Sequence, residues 1–133
     1  MVMDKPRIRL GTDDGWLELA QEEGRDWRVT ADWVSKLRAD FDAYLTTEEV
    51  ADFAAQMLSH LSVPGRRFSA AVTAGRNNPL TLRAQPVEDG YAFFVRLTPN
   101  GDDDVCHLQM EIDPIDVDEL RGMFDALHAS SAV

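Results

Sequence analysis

The chain predicts an α+β domain: a twisted antiparallel sheet of about seven or eight strands, with two helices packed on one face in a ββββα order that occurs twice. Three observations lead there. Over residues 27–45 the odd positions are mostly apolar (Trp27, Val29, Ala31, Trp33, Leu37, Ala39, Phe41, Ala43, Leu45), and the even positions carry most of the polar groups. That alternation is the mark of strands with one buried face. At Thr46 the period changes: Val50, Phe53, Ala54, Met57, Leu58 and Leu61 fall on one stripe of a helix. The second half then repeats the plan with short turns, and strands joined by short turns run antiparallel. A sheet face and a helix stripe adjacent in sequence cover each other most simply as an α+β layer pair.

Taken in order, Pro6 closes a loose end and Arg7-Ile8-Arg9-Leu10 starts a strand. Gly11-Thr12-Asp13-Asp14-Gly15 is dense in turn formers and includes the Asp-Gly hairpin signal. Residues 16–20 form a second strand with Leu17 and Leu19 on one face, and Glu22-Glu23-Gly24 turns the chain. Residues 27–33 and 37–45 are the third and fourth strands. Val34-Ser35-Lys36 between them reads as a tight turn in preference to a bulge in one long strand, because nineteen residues exceed the usual strand length of about 3–10. Thr46 as N-cap with Glu49 at N3 forms a capping box that opens the first helix, and Pro64-Gly65 limits it to about Leu61 or Ser62.

In the second half Phe68, Ala70, Val72 and Ala74 alternate in a fifth strand. Gly75-Arg76-Asn77-Asn78-Pro79 turns into a sixth, marked by Leu80, Leu82 and Ala84. Pro86 and Glu88-Asp89-Gly90 form the next turn. Tyr91, Phe93, Val95 and Leu97 share one face of a seventh strand, with Phe94 on the other. Pro99-Asn100-Gly101 carries the Asn-Gly hairpin signal, and Cys106, Leu108, Met110 and Ile112 define an eighth strand. Asp113 as N-cap and Pro114 at N1 open the second helix. Its stripe is Val117, Leu120, Phe124 and Leu127, with Met123 on the flank.

The 133 residues fit one domain, 1–133, able to bury a core without covalent staples. The single Cys106 cannot close an intramolecular disulfide. Residues 1–10 are short and of mixed charge, and no apolar run nears the roughly 20 residues that span a bilayer. A cytoplasmic protein is therefore expected. Acidic residues outnumber basic ones 24 to 13, a net charge of −11. Such a chain repels nucleic acid and anionic lipid, so neither direct nucleic-acid binding nor membrane association is expected. The charge serves solubility, and it also suits a basic protein partner drawn in by the surface field.

No pattern in the chain carries catalytic or cofactor chemistry. His60, His107 and His128 lack metal-ligand spacing, and no Cys-x-x-Cys is present. Cys106 falls on the inward phase of its strand, where a buried inert thiol is expected, and His107 on the outward phase. Phosphate-binding glycine loops and the Gly-x-Ser-x-Gly elbow are missing. No metal, cofactor or catalytic residue is assigned. The candidates are instead contact residues. Asp13 and Asp14 lie in one hairpin loop, and Asp102, Asp103 and Asp104 in another. Trp27 and Trp33 share the inward phase, so core packing is expected of both. Trp16 points the other way, as do Phe94 and Val105. An outward Trp on the helix-free face of the sheet is a candidate hot spot, and if Trp16, Phe94 and Val105 were neighbours they would form an exposed apolar patch.

The order of a Trp-led β segment, the acidic-capped helix Thr46-Thr47-Glu48-Glu49-Val50-Ala51-Asp52-Phe53, the strand Leu108-Gln109-Met110-Glu111-Ile112-Asp113 and the helix at Val117-Asp118-Glu119-Leu120 resembles a known group. It is similar to small bacterial proteins, frequent in actinobacteria, grouped with immunity proteins of the wall-associated toxin type and related domains of unknown function. The likeness covers residues 27–127 and rests on element order and pattern. It implies an inhibitor that binds a toxin and has no enzyme activity of its own, and it brings no catalytic motif to carry over. The expected function is thus a non-enzymatic, immunity-type inhibitor of a basic protein partner. The alternatives are an acidic nucleic-acid mimic or adaptor in a bacterial or phage defence system, and, third, an enzyme whose site follows no motif. Self-association through an edge strand stays open.

Overall fold

A computed structural model describes residues 5–75, 77–99, 101 and 105–131. Among them lie β1 (Arg7–Thr12), β2 (Gly15–Glu23), β3 (Asp26–Trp33), β4 (Leu37–Tyr44), α1 (Thr47–Leu61), β5 (Phe68–Ala71), β6 (Leu80–Val87), β7 (Gly90–Leu97), β8 (Leu108–Asp116) and α2 (Val117–Ser131). The α+β class, the element order and the repeated ββββα plan are those the residue pattern predicts. Each strand pairs antiparallel with its sequence neighbour inside each half.

The strands form two four-stranded sheets, β1-β2-β3-β4 and β5-β6-β7-β8, with no ladder joining them among the described residues. The sheets meet where β1 lies beside β8. At the start of β2 the approach is close: a Cβ placed on Gly15 would sit 3.6 Å from the Glu111 carbonyl oxygen. The two helices pack on each other, α1 against β5 and α2 against β1 and β8. Their stripes (Val50, Phe53, Ala54, Met57 and Leu61; Leu120, Phe124 and Leu127) join Ile8, Leu10, Leu17, Leu19, Trp27 and Val29 of the first sheet in one core. Leu82, Tyr91, Phe93, Val95 and Ile112 of the second sheet complete it. Phe53 and Phe124 meet edge to face at 5.8 Å across the helix pair, a favoured aromatic geometry.

The capping box forms as expected. The Glu49 N–H donates to Thr46 Oγ1 at 3.0 Å, and the Thr46 N–H donates to Glu49 Oε1 at 2.9 Å. Several boundaries differ from the expectation: β5 ends at Ala71, short of Val72 and Ala74, β8 begins at Leu108, past Cys106, and two others differ at a proline. Pro86 lies inside β6 rather than in a turn, opposite Tyr91. β5 pairs with β6 only as far as Ala84, so the amide hydrogen Pro86 lacks breaks no bond on that side. Asp113 and Pro114 do not open α2; β8 runs on to Asp116 and the helix begins at Val117. A register shift opposite Ala92, between Tyr91 and Phe93, places Pro114 in a bulge, where a missing donor is tolerated. The expected turn residues Arg76 and Asn100 lie outside the described residues.

Candidate protein-binding surface

The β3–β4 hairpin carries the most exposed tryptophan of the described chain. Trp27 and Trp33 share one strand phase, yet Trp27 is fully buried and Trp33 is 38 % exposed. Trp33 is therefore not the core residue its parity predicts. β3 runs past the last buried inward residue, Ala31, and carries Trp33 out to the hairpin end. Val34 and Leu37 are exposed beside it, Leu37 to 50 %. Trp33 pairs with Leu37 across the hairpin and with Gly15 of β2. The sequence carries a signal for this position: an in-phase Trp immediately before a turn projects beyond the layer.

The turn is strained. The Lys36 N–H donates to the Trp33 carbonyl at 2.9 Å, and both residues between them have positive φ, 44° at Val34 and 61° at Ser35. That is the pattern of a type I′ turn, which favours Asn-Gly. A β-branched residue there is a genuine outlier. Two contacts hold it. The Val34 N–H donates to the Asp14 carbonyl at 2.7 Å, and the Ser35 N–H donates to Asp32 Oδ1 at 2.8 Å. Asp32 is 6 % exposed and its other oxygen accepts from Arg38 Nε at 2.8 Å. The Val34–Asp14 bond brings the β1–β2 turn, with exposed Asp13 and Asp14, alongside the apolar tip. Two of the expected acidic contact residues thus lie next to an anchor that was not expected.

The outer face of the first sheet is a charged ladder. Its rows are Trp16, Asp32 and Arg38; Glu18, Thr30 and Asp40; and Ala20, Arg28 and Asp42. Arg28 Nε bonds Asp40 at 2.5 Å and its Nη1 lies 3.3 Å from Asp42. The hydrogen bond to Asp40 is the main reason its pKa is raised. Trp16 is half-buried, with the Arg9 guanidinium 4.3 Å from its ring centre. Phe94 faces outward on the second sheet, half-buried beneath Arg83 at 5.0 Å. Trp16 and Phe94 thus sit on different sheets, each under its own arginine. Val105 is exposed. Asp102, Asp103 and Asp104 lie outside the described residues.

Cys106 is exposed rather than buried, because β8 begins two residues later and the inward phase does not reach it. His107 is exposed and near Arg96, and His60 stacks on Phe68 at 4.4 Å. Among the described residues no three His, Cys, Asp or Glu side chains are grouped to hold a metal ion. A recess of ≈ 520 Å³ beside the α2 N-terminus gathers Glu88, Asp89, Asp116, Asp118 and Arg121. Several of its polar groups already serve helix ends. Asp116 Oδ2 accepts from the Asp118 N–H at 2.9 Å, and Arg121 Nη2 donates to the Leu61 carbonyl at 2.8 Å.

The class defined by these features is an α+β domain with an apolar hairpin tip set among carboxylates. No protein-family model, curated protein or solved structure matches the chain. No helix among the described residues is long and apolar enough to cross a membrane.

Proposed function

We propose that this chain is a non-enzymatic binding domain for a basic protein, acting as an immunity-type inhibitor. The observation that carries the reading is the exposed Trp33-Val34-Leu37 tip beside Asp13 and Asp14. Aromatic anchors at the centre of a contact supply most binding energy, and charges around them steer encounter. The strain at Val34 supports the same reading, since backbone outliers persist where a function requires them. The net charge of −11 suits a basic partner. The nucleic-acid-mimic alternative calls for a ridge of free carboxylates. On the first sheet Asp32, Asp40 and Asp42 are engaged by Arg38 and Arg28, which interrupts such a ridge.

The test is capture from the native host by the immobilised full chain, at low salt and again near 1 M, where the Debye length falls to about 3 Å. A basic protein should be retained at low salt and released at high salt. The exposed-site variant Trp33→Ala/Leu37→Ala, checked for an unchanged circular dichroism spectrum, should lose about 2 kcal/mol of binding or more. Recovery of no basic protein, or equal recovery by the variant, refutes the reading.

A further inference from the structure

We propose that the groove on the outer face of the first sheet receives one arginine side chain of the basic partner; this rests on the binding reading above. The groove has a volume of ≈ 420 Å³ and is lined by Asp13, Trp16, Thr30, Asp32, Arg38 and Asp40, among others. That volume is in the range of sites that hold a small-molecule-sized group. Three carboxylates against one guanidinium make the lining net negative. Asp32 is committed to Ser35 and Arg38. Asp40 gives one oxygen to Arg28, which leaves its second for an incoming donor. Asp13 is exposed in its turn and makes no ion pair among the described residues.

Trp16 supplies the aromatic wall. β2 lies between β1 and β3, and Arg9 approaches the indole from the β1 side. Apart from Asp13 and Trp16, the groove is lined from β3, β4 and the turn between them, and Arg9 is not part of its lining. Guanidinium groups already sit over aromatic rings elsewhere on the surface, Arg9 on Trp16, Arg25 on Tyr44 and Arg83 on Phe94. A planar guanidinium can stack on an indole and present a fork of donors to Asp13 and Asp40 together; a lysine ammonium offers a point charge and no stacking plane. Ser35 also lines the groove, so the strained turn joins it directly to the Trp33 tip. One partner arginine would enter beside the apolar anchor.

The experiment is a titration of the ¹⁵N-labelled full chain with N-acetyl-arginine amide, followed at the three tryptophan indole N–H signals. The neutral isostere N-acetyl-citrulline amide and N-acetyl-lysine amide serve as controls. A saturable shift at Trp16, none with the citrulline compound and a weaker one with the lysine compound are expected. Asp13→Asn, read at the Trp16 indole, and Trp16→Leu, read at the backbone amides of Thr30, Asp32 and Asp40, should each weaken the arginine response about two- to fivefold, the worth of an exposed cation–π or charge contact. Trp33→Ala/Leu37→Ala should leave it unchanged, so that failure of the groove and failure of the binding reading are told apart. No saturable shift at Trp16, an equal response to citrulline or a response confined to Trp33 overturns the assignment.

Discussion

Val34 and Ser35 hold a conformation that their side chains oppose. A left-handed backbone costs a non-glycine residue roughly 1–2 kcal/mol, and a branched Cβ raises that cost. The pair survives because the Asp14 carbonyl and the buried Asp32 carboxylate hold the turn from both sides. Replacing Val34-Ser35 by Asn-Gly, the sequence a type I′ turn prefers, should stabilise the fold by about 1 kcal/mol. A higher urea midpoint with an unchanged denaturant slope would report this. The same double variant removes an apolar side chain from the tip, so it should also weaken capture of the basic partner. A gain in stability with loss of binding is the signature of strain kept for function. Stability unchanged or lowered would mean that the turn is better suited to Val-Ser than its dihedral angles imply.

At the scale of single elements, legibility followed the strength of the local physical constraint. In β3 and in α1 one face is buried along most of the length, so periodicity identified the contacts, from Trp27 and Val29 to Phe53 and Leu61. The α1 boundary was equally plain, because Thr46 and Glu49 satisfy each other's backbone donors. Where an element outruns the core, parity stops reporting burial. Trp33 and Cys106 are each in phase with a buried face, yet neither is buried, since one lies past the end of the layer and the other before the start of β8. The split into two sheets was not legible at all, because alternation fixes a strand's face and says nothing of which edges carry a ladder. For the candidate site, Asp13 and Asp14 were readable as loop carboxylates. Their closeness to Trp33 depends on a bond between two hairpins that sequence does not encode locally.

The α1 cap carries a pH prediction of its own. The Thr46 backbone N–H, then the Thr73 side chain, hold the Glu49 carboxyl below the usual carboxylate range. A depressed folded pKa adds stability above the unfolded value of about 4.3, and that contribution is lost as pH falls through the lower folded value. Glu49→Gln should therefore be less stable than the parent chain at pH 7, and the difference should shrink at about pH 3, below the ordinary carboxylate pKa. Urea midpoints at the two pH values check this. A difference that persists undiminished in acid would show that the cap works through its neutral hydrogen bonds alone.

For the whole molecule, the repeated plan raises the question of whether each half is a folding unit. The packing argues against it. α1 follows the first sheet but packs on β5 of the second, and α2 follows the second sheet but packs on β1 of the first as well as on β8. Arg121 of α2 donates to the Leu61 carbonyl at the end of α1. At the centre, Ile8, Leu10, Leu17 and Leu19 meet Leu80, Leu82, Phe53 and Phe124 around a void of only ≈ 10 Å³, so each half supplies wall that the other needs. Truncating Phe124 to Ala should cost about 3–5 kcal/mol, the usual price of an emptied aromatic site. All three tryptophans lie in the first half, and Trp27 is fully buried in the first sheet, whereas Phe124 belongs to the second half. If the core is one cooperative unit, Phe124→Ala lowers the urea midpoint read by tryptophan fluorescence as far as the midpoint read by far-ultraviolet circular dichroism. If fluorescence keeps the parent midpoint while circular dichroism shows an earlier loss, the halves fold separately, and the interleaving of their helices is a contact between two modules.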